Sequence, residues 1–444
     1  MSLESLENNN HSTTSFDSTT PLLDNECSID NSRGTSRQGF SGSSWAAYIN
    51  ITCVVAGSGI LGLPYAIKQG GWIGIGLIPL SMLITLYTSI ILIKCLYYDG
   101  KTRLKTFEDI GYHAFGNFGK YVLVGIFNNI ILLGVPILFL ILAGQSFDAL
   151  VEQYWNIQLG VRFCTCISAI IVAIPFIFTK TIKEVVLLSI FGSFSTFFGV
   201  IVIVALSIVD LFNISKSSSP PTHDLIAFAE FPIALATISF SFGGNSVFPH
   251  IEESMNVRKD WNKVTSAAMS TCAFLYLLVA IFGYYVYGND CLSPIFNNLP
   301  KGPFLTMASI FITIHVLLTA PILLTSFSCE AEKGLKITRE FHSPLHEFIL
   351  RAGFRTFIIV IITFIATIVP FFGDFMSLLG AVAICLLVFV LPVIFYIRLY
   401  GLRAMSTMEL LWSFFVIIIG LTGCLIGTVD AIASLLKDFR ESSN

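Results

Sequence analysis

Two stretches of this chain place small and hydroxylated residues inside long apolar runs, a pattern suited to binding a small molecule. Residues 57–64 read GSGILGLP, and residues 239–249 read SFSFGGNSVFP. Glycine in a helix interior costs about 1 kcal/mol relative to alanine, and proline costs about 3 kcal/mol. We therefore expect each stretch to interrupt a helix and to leave peptide N–H and C=O groups without intrahelical partners. In hydrocarbon, such groups persist only against protein or a polar cavity.

Free peptide groups at two helix breaks fit a zwitterion of amino acid size. The half-helix after a break offers N–H groups and a dipole that attract a carboxylate, and the preceding half-helix offers carbonyl oxygens that suit an ammonium group. Neither break contains Asp, Glu, Lys or Arg, which favours a substrate with a neutral side chain. The residues predicted to bind substrate are Gly57, Ser58, Gly59, Ile60, Leu61, Gly62, Ser239, Phe240, Ser241, Phe242, Gly243 and Thr319.

Two ionisable residues in apolar segments are candidates for coupling to protons. His315 lies in the middle of an apolar run, with Thr319 one turn further along the same face, and Glu230 lies near the start of another run. Ionisable groups at membrane depth are costly and usually functional, and histidine titrates near neutral pH. The alternatives are a neutral His315 hydrogen-bonded between helices and a Glu230 at the membrane interface. The other acids near spans are expected at interfaces or far from the site: Asp148, Asp374 and Asp430.

Several other chemistries are excluded by the sequence. Residues 57–62 match the dinucleotide pattern GxGxxG, but that pattern requires a preceding strand and an acid about 20 residues later, and residues 72–98 form another apolar run. No metal-ligand spacing, Walker motif or hydrolytic constellation is present, so we expect no enzyme, cofactor, bound metal or nucleic-acid partner. We infer no obligate protein partner. Close packing of small residues between membrane helices remains the alternative explanation of the glycines.

The elements that must position these residues are membrane-spanning helices. The 444 residues are 55% hydrophobic and only 12% charged, whereas soluble domains carry about 25% charged residues. Apolar runs long enough to cross a bilayer predict an all-α polytopic protein, with the lipid bilayer as its surroundings. The predicted spans, numbered 1 to 11, cover about 45–67, 72–98, 121–150, 161–179, 184–212, 229–249, 263–288, 303–327, 354–371, 375–400 and 409–436.

The positions of the two breaks predict how the spans are arranged. They fall in spans 1 and 6, each the first of a set of five. Interrupted segments at corresponding positions of two halves are typical of inverted-repeat transporters, whose substrate site lies at the breaks. We therefore predict a 5+5 inverted repeat with span 11 added, in which spans 3 and 8 complete the pocket.

Composition and loop charge predict the domains and the orientation. Residues 1–43 are rich in Ser, Thr and Asn and are expected to be a disordered cytosolic tail, followed by a transmembrane domain over 44–436 and a short tail over 437–444. Eighteen Lys and Arg residues lie on the side of the amino terminus and six on the other side. This bias places the amino terminus in the cytosol and the carboxyl terminus in the lumen or outside. The far-side Cys291 either pairs with Cys164 or Cys166 or stays free.

Five motifs resemble the amino acid/auxin permease superfamily, and most closely its vacuolar neutral amino acid transporter branch, to which vesicular inhibitory amino acid transporters are similar. The resemblance covers about residues 44–436. The motifs are Gly57-Ser-Gly-Ile-Leu-Gly-Leu-Pro64, Phe107-Glu-Asp-Ile-Gly111, Phe248-Pro-His-Ile-Glu-Glu-Ser-Met255, Asn298-Leu-Pro300 and Val369-Pro-Phe-Phe-Gly-Asp374.

The resemblance implies eleven spans, a leucine-transporter-like core and exchange of protons for amino acids across an acidic organelle membrane. Sodium-coupled members commonly carry Asn-Ala-Ile before the Gly-Ser-Gly, where this chain has Cys53-Val54-Val55. The lost oxygen ligand favours protons over sodium, although Asn50 lies three residues upstream. We predict a proton-coupled secondary transporter of neutral amino acids in a vacuolar or lysosomal membrane. The alternatives are a plasma-membrane proton symporter and an amino acid sensor that binds without appreciable flux.

Overall fold

The computed structural model describes residues 42–100, 102–178, 185–214, 221–337 and 341–443. Within these ranges the chain forms helices and connecting loops and contains no strand. Most of the predicted tail over 1–43 lies outside them. The helices are α1 (Ser44–Val55), α2 (Leu63–Gly70), α3 (Leu77–Leu96), α4 (Phe107–Asn117), α5 (Ile126–Trp155), α6 (Val161–Phe178), α7 (Val185–Ile214), α8 (Phe231–Ser241), α9 (Phe248–Ser254), α10 (Trp261–Tyr287), α11 (Pro303–Gly334), α12 (Pro344–Ile368), α13 (Phe372–Leu379), α14 (Leu391–Tyr400) and α15 (Thr407–Ser443).

Ten helical segments of the described chain are long and apolar enough to cross a membrane. They correspond to the predicted spans other than span 6. Span 6 instead consists of two short helices, α8 and α9, separated by a loop. Span 1 is likewise divided into α1 and α2 by a 3₁₀ segment at Ser58–Gly62. Span 10 is continuous but contains a π-helical stretch at Gly380–Val390 between α13 and α14.

Three boundaries differ from the sequence predictions. The ninth helix begins at Pro344, about ten residues before the predicted start at 354. Residues 437–443, predicted to be a tail, continue the helix α15. The third apolar segment begins at Phe107 because the short helix α4 leads through a π-helical turn into α5. Thr106 and Asp109 form a capping box at the start of α4, which satisfies free N–H groups of its first turn.

Two sets of contacts identify the opposite ends of the bundle. At one end, near the start of the described chain, the amide of Asn256 donates to the carbonyl of Gly42 at 2.7 Å. At the other end, which span 1 reaches at Gly70, the amide of Trp72 donates to the carbonyl of Asp224 at 3.0 Å. The helices between these ends share one apolar core.

Two buried ion pairs connect helices of the bundle. The first of them lies at the end of the bundle that contains Asn256 and Gly42. Arg103, in the segment after α3, lies 2.8 Å from the carboxylate of Glu252 on α9, and only 1% of the Glu252 side chain is exposed. Arg355 on α12 lies 2.7 Å from Glu332 on α11 and donates to the carbonyl of Phe176 on α6 at 2.8 Å. The first pair ties α9 to the end of α3, and the second ties α6, α11 and α12 together.

Candidate functional site

The break in span 1 lies where the glycine cluster predicts it. α1 ends at Val55, and Ala56 and Gly57 leave the helical region with ψ angles of 53° and −145°. A 3₁₀ segment follows, and Pro64 lies in the first turn of α2, where its missing N–H costs no hydrogen bond. The sequence therefore ends one helix and starts another within a few residues.

The break in span 6 is longer. α8 ends at Ser241, and α9 begins at Phe248 with Pro249 in its first turn. Residues 242–247 between them are not helical. Asn245 is held in this loop because its side-chain amide donates to the carbonyl of Val388 at 3.2 Å, in the π-helical stretch of span 10.

The two breaks touch each other. A Cβ atom added to Gly59 would lie 2.8 Å from the hydroxyl oxygen of Ser241 and 3.0 Å from its Cα, closer than packed atoms allow. A Cβ atom on Gly244 would lie 3.4 Å from a methyl group of Val54 on α1. The absence of a side chain at Gly59 therefore allows the two chain segments to approach.

Backbone amides at both breaks have no acceptor among the described residues. In span 1 these are the amides of Ser58 and Gly59, and in span 6 those of Gly244, Asn245 and Ser246. Buried N–H groups are normally paired with protein, water or ligand. The breaks therefore hold N–H groups without an acceptor, and their binding of an anion stays a prediction.

Tyr276 on α10 joins the ends of the two preceding half-helices. Its hydroxyl oxygen lies 2.6 Å from the carbonyl oxygen of Val55 and 2.5 Å from that of Ser241. The side chain is 0% exposed, and its ring packs edge-on against Phe242 at 5.0 Å. Tyr276 is not among the residues predicted from the sequence, because a tyrosine in a long apolar helix carries no distinguishing pattern.

His315 lies beside span 1, on the α1 side of its break. The imidazole is buried, and a Cβ atom on Gly192 of α7 would lie 2.6 Å from its Nδ1 and 2.7 Å from the sulfur of Cys53 on α1. α11 therefore brings His315 to the junction of α1 and α7. Among the described residues no hydrogen bond is made by its ring nitrogens, and its part in proton coupling stays a prediction. The carbonyl of His315 accepts the Thr319 hydroxyl at 2.8 Å.

The other predicted residues divide into those at the contact and those directed elsewhere. Ser239 is buried, and its hydroxyl donates to the carbonyl of Leu235 at 2.6 Å within α8. Gly62 packs against Met376 of α13. Ile60 and Leu61 belong to the apolar core, whereas Phe240, Gly57 and Gly243 are half-buried.

Glu230 is separated from the breaks. It is exposed and precedes α8, whose 11 residues span about 16 Å before the break begins. Its position matches the interfacial alternative. Spans 3 and 8, which are expected to complete the pocket, correspond to α5 and α11. The helix α11 contributes His315, and α5 contacts span 10 through Gly134 and Leu379.

Asp374 is more deeply enclosed than its predicted interfacial position suggests. It is buried at the start of α13, and the hydroxyl of Ser434 on α15 donates to its carboxylate at 2.8 Å. Tyr65 of α2 and Asp438 of α15 also contact this carboxyl group. Asp148, by contrast, lies at a helix end, where its carboxylate accepts the amide of Gly160 at 2.9 Å.

The structure describes all three cysteines expected on the far side. Cys291, Cys164 and Cys166 are all free thiols, so the disulfide alternative is not realised. The Cys291 thiol donates to the carbonyl of Gly283, and burial raises its pKa to about 12. No group of three or more His, Cys, Asp or Glu side chains suited to a metal ion occurs in the described part of the chain.

A family model described as "Transmembrane amino acid transporter protein" matches residues 41–433, which include both broken helices and the whole bundle around them. The chain belongs to this family. It is a multi-pass membrane protein of an amino acid transporter family rather than an enzyme, as the motifs predicted.

Three similar curated proteins come from Arabidopsis thaliana. The chain is 25% identical over 395 residues to the amino acid transporter AVT1C of Arabidopsis thaliana, covering 88% of this chain and 70% of that one. It is 27% identical over 392 residues to AVT1J, covering 87% and 89%, and 27% identical over 410 residues to AVT1I, covering 89% and 96%. The similarity therefore extends over most of each protein.

Solved structures share the fold at low sequence identity. A manganese transporter of Eremococcus coleocola matches with a TM-score of 0.53 and 11% identity, over 94% of this chain and 92% of that one. A Na⁺-coupled sialic acid symporter matches with a TM-score of 0.51 and 12% identity, over 89% and 91%. The predicted fold class, a helical transporter of the leucine-transporter type, is confirmed.

Proposed function

We propose that this family member is a proton-coupled secondary transporter of neutral amino acids in a vacuolar or lysosomal membrane. The observation that carries the proposal is the set of unpaired backbone amides where the two broken helices touch. These amides suit a carboxylate, and neither break contains a charged side chain. A small zwitterion with an uncharged side chain satisfies both conditions.

We propose His315 as the residue that takes up the coupling proton, because of its position. Its ring is buried beside Cys53, just before the break in span 1, and lacks a hydrogen-bond partner among the described residues. A proton taken up there can change the charge next to the substrate site during alternating access. Glu230, the second candidate, is exposed and distant from the breaks, so we assign it the weaker claim.

Two observations support the proposed location in a vacuolar or lysosomal membrane. The motifs resemble the vacuolar branch of the superfamily, and the AVT1 amino acid transporters of Arabidopsis match over most of the chain. With the amino terminus in the cytosol, the half-helix α2 and Asp374 then face toward the lumen.

The test is uptake by the full chain in liposomes with an imposed pH gradient, using a panel of neutral, acidic and basic radiolabelled amino acids. We expect gradient-dependent accumulation of neutral amino acids that a protonophore abolishes. Binding without accumulation would favour a sensor, and accumulation driven by sodium alone would contradict proton coupling. Fluorescent tagging in cells decides between a plasma membrane and an organelle membrane.

The same assay tests His315. We expect His315→Gln to bind and equilibrate the substrate but to lose accumulation above the external concentration. His346→Gln is the matched control, since His346 is exposed on α12. Wild-type accumulation by the His315 variant would contradict its role in coupling.

A further inference from the structure

The first half-helices of spans 1 and 6 both end next to the hydroxyl group of Tyr276. The last residue of α1 is Val55 and the last residue of α8 is Ser241. Both carbonyl oxygens lie within 2.6 Å of the same Tyr276 hydroxyl oxygen. A helix carries partial negative charge at its carboxyl-terminal end, so two such ends bring like charges together in the interior.

Two converging helix ends of this kind form a site for a cation. In transporters with broken helices, unwound carbonyls and half-helix carboxyl-terminal ends coordinate the coupling ion. Here the position between the two carbonyls is filled by an O–H group. The hydroxyl has one proton, which it directs to one or the other carbonyl, and this supplies positive charge without an ion.

We propose that the Tyr276 hydroxyl is a built-in substitute for a monovalent coupling cation, and that it makes this transporter independent of sodium. The inference rests on the proposed substrate site at the two breaks, which the same contact holds together. It adds a positioning residue on α10, a helix that carries none of the predicted substrate-binding residues.

The packing around Tyr276 supports a fixed hydroxyl. The side chain is fully buried. Its ring centroid lies 5.0 Å from that of Phe242, which is the residue that directly follows Ser241. Gly59 also contacts Ser241. A hydroxyl held in this way keeps the two half-helix ends at a set separation.

The experiment compares Tyr276→Phe with the wild-type full chain, purified and studied in sodium chloride and in choline chloride of equal concentration. The variant removes only the hydroxyl. It leaves a space between the two carbonyls, of which Val55 still accepts the amide of Gly57 at 2.8 Å and Ser241 loses its donor. Tyr285→Phe is the matched control, because Tyr285 lies on the same helix and is exposed, and its hydroxyl makes no hydrogen bond to the described residues.

We expect the wild type and the Tyr285 variant to show the same Tm and uptake in both salts. In choline, Tyr276→Phe should have a lower Tm and about tenfold lower uptake, since the buried carbonyl of Ser241 loses its donor. Sodium should raise its Tm and restore part of the uptake, and the variant should bind radioactive sodium that the wild type does not bind.

Three results would overturn the inference: sodium-dependent stability of the wild type, a Tyr276 variant equal to the wild type in choline, or an impaired variant indifferent to sodium. The last result would reduce Tyr276 to a structural role. Sodium binding and Tm are measured without substrate, so they stay decisive if amino acid uptake itself is absent.

Discussion

At the scale of single residues, Gly59 has the most restrictive surroundings at the contact between the breaks. Its missing side chain leaves room for the backbone of Ser241, whose Cα would lie 3.0 Å from an added Cβ. We expect Gly59→Leu to abolish uptake, because the two segments must separate to admit the side chain. Uptake in liposomes checks this, with membrane insertion measured by surface or organelle labelling.

The matched control for Gly59 is Gly353→Leu. Gly353 lies in the interior of α12, and an added Cβ would meet nothing within 4 Å. This variant should insert and transport like the wild type. Normal uptake by the Gly59 variant would show that the pocket lies elsewhere.

The roles of individual residues could be predicted only in part from the sequence. The glycines and prolines at the breaks were predictable because their helix cost is intrinsic. Ser239 was selected for its hydroxyl, yet that hydroxyl bonds Leu235 within α8, as serines in helices often do. Tyr276 was missed because its role depends on two carbonyls about 35 and 221 positions away in the chain, a separation that no local pattern reveals.

At the scale of elements, the half-helix α9 depends on its attachment to the segment after α3. Arg103 donates to Glu252 through Nε and Nη2 and to the carbonyl of Pro249, and Tyr97 donates to the other Glu252 oxygen at 2.6 Å. A helix of seven residues is too short to be stable alone. Its orientation therefore comes from these contacts.

We expect Glu252→Gln to destabilise the protein by about 3 kcal/mol, because it leaves the largely buried Arg103 without its close partner. The measurement is thermal denaturation of the purified protein, where Tm should fall by several degrees. Glu253→Gln is the control: Glu253 lies 3.6 Å from Arg103 but is 50% exposed, so its loss should change stability by less than about 1 kcal/mol. Equal Tm values for the two variants would contradict a buried, stabilising pair.

Element boundaries were predictable where apolar runs end in polar loops and less so elsewhere. The ninth helix begins earlier than expected because Glu347 and Arg351 form an ion pair of 2.7 Å on one face of the helix. This pair allows charged residues to extend the helix on the amino-terminal side of the apolar run. Span 6 and its interruption were predicted, but the length of the loop between α8 and α9, six residues, depends on tertiary contacts. Asn245 must reach Val388 of span 10 to hold that loop.

At the scale of the whole molecule, the fold followed from two breaks at matching positions in the chain. Composition indicates a membrane protein, and the pair of interruptions predicts the transporter class. The family confirms that class, and the solved structures share the fold. How helices from distant parts of the chain contact one another could not be predicted, since each long apolar helix can present several faces to its neighbours.

The charge bias of the loops predicts a cytosolic amino terminus and a far-side carboxyl terminus. We expect a glycosylation acceptor, added with a spacer after Asn444, to be modified in cells. The same insert in the loop near Lys336 should stay unmodified, because that loop belongs to the positively charged side. The reverse pattern would invert the whole arrangement, including which broken half-helix opens first to the cytosol.

The joint at the far end of span 1 combines main-chain hydrogen bonds with contacts of the Trp72 ring to His223 and Tyr284. Trp72 and Ile73 donate their amides to the carbonyls of Asp224 and Leu225, and Gly71 adopts a φ of +70°, where an added Cβ would lie 2.8 Å from the carbonyl of Leu225. The main-chain bonds depend on the length of this loop and on Gly71, whereas the aromatic contacts depend on the ring of Trp72. Loop length and one aromatic side chain together keep the outer half of span 1 aligned with its neighbours.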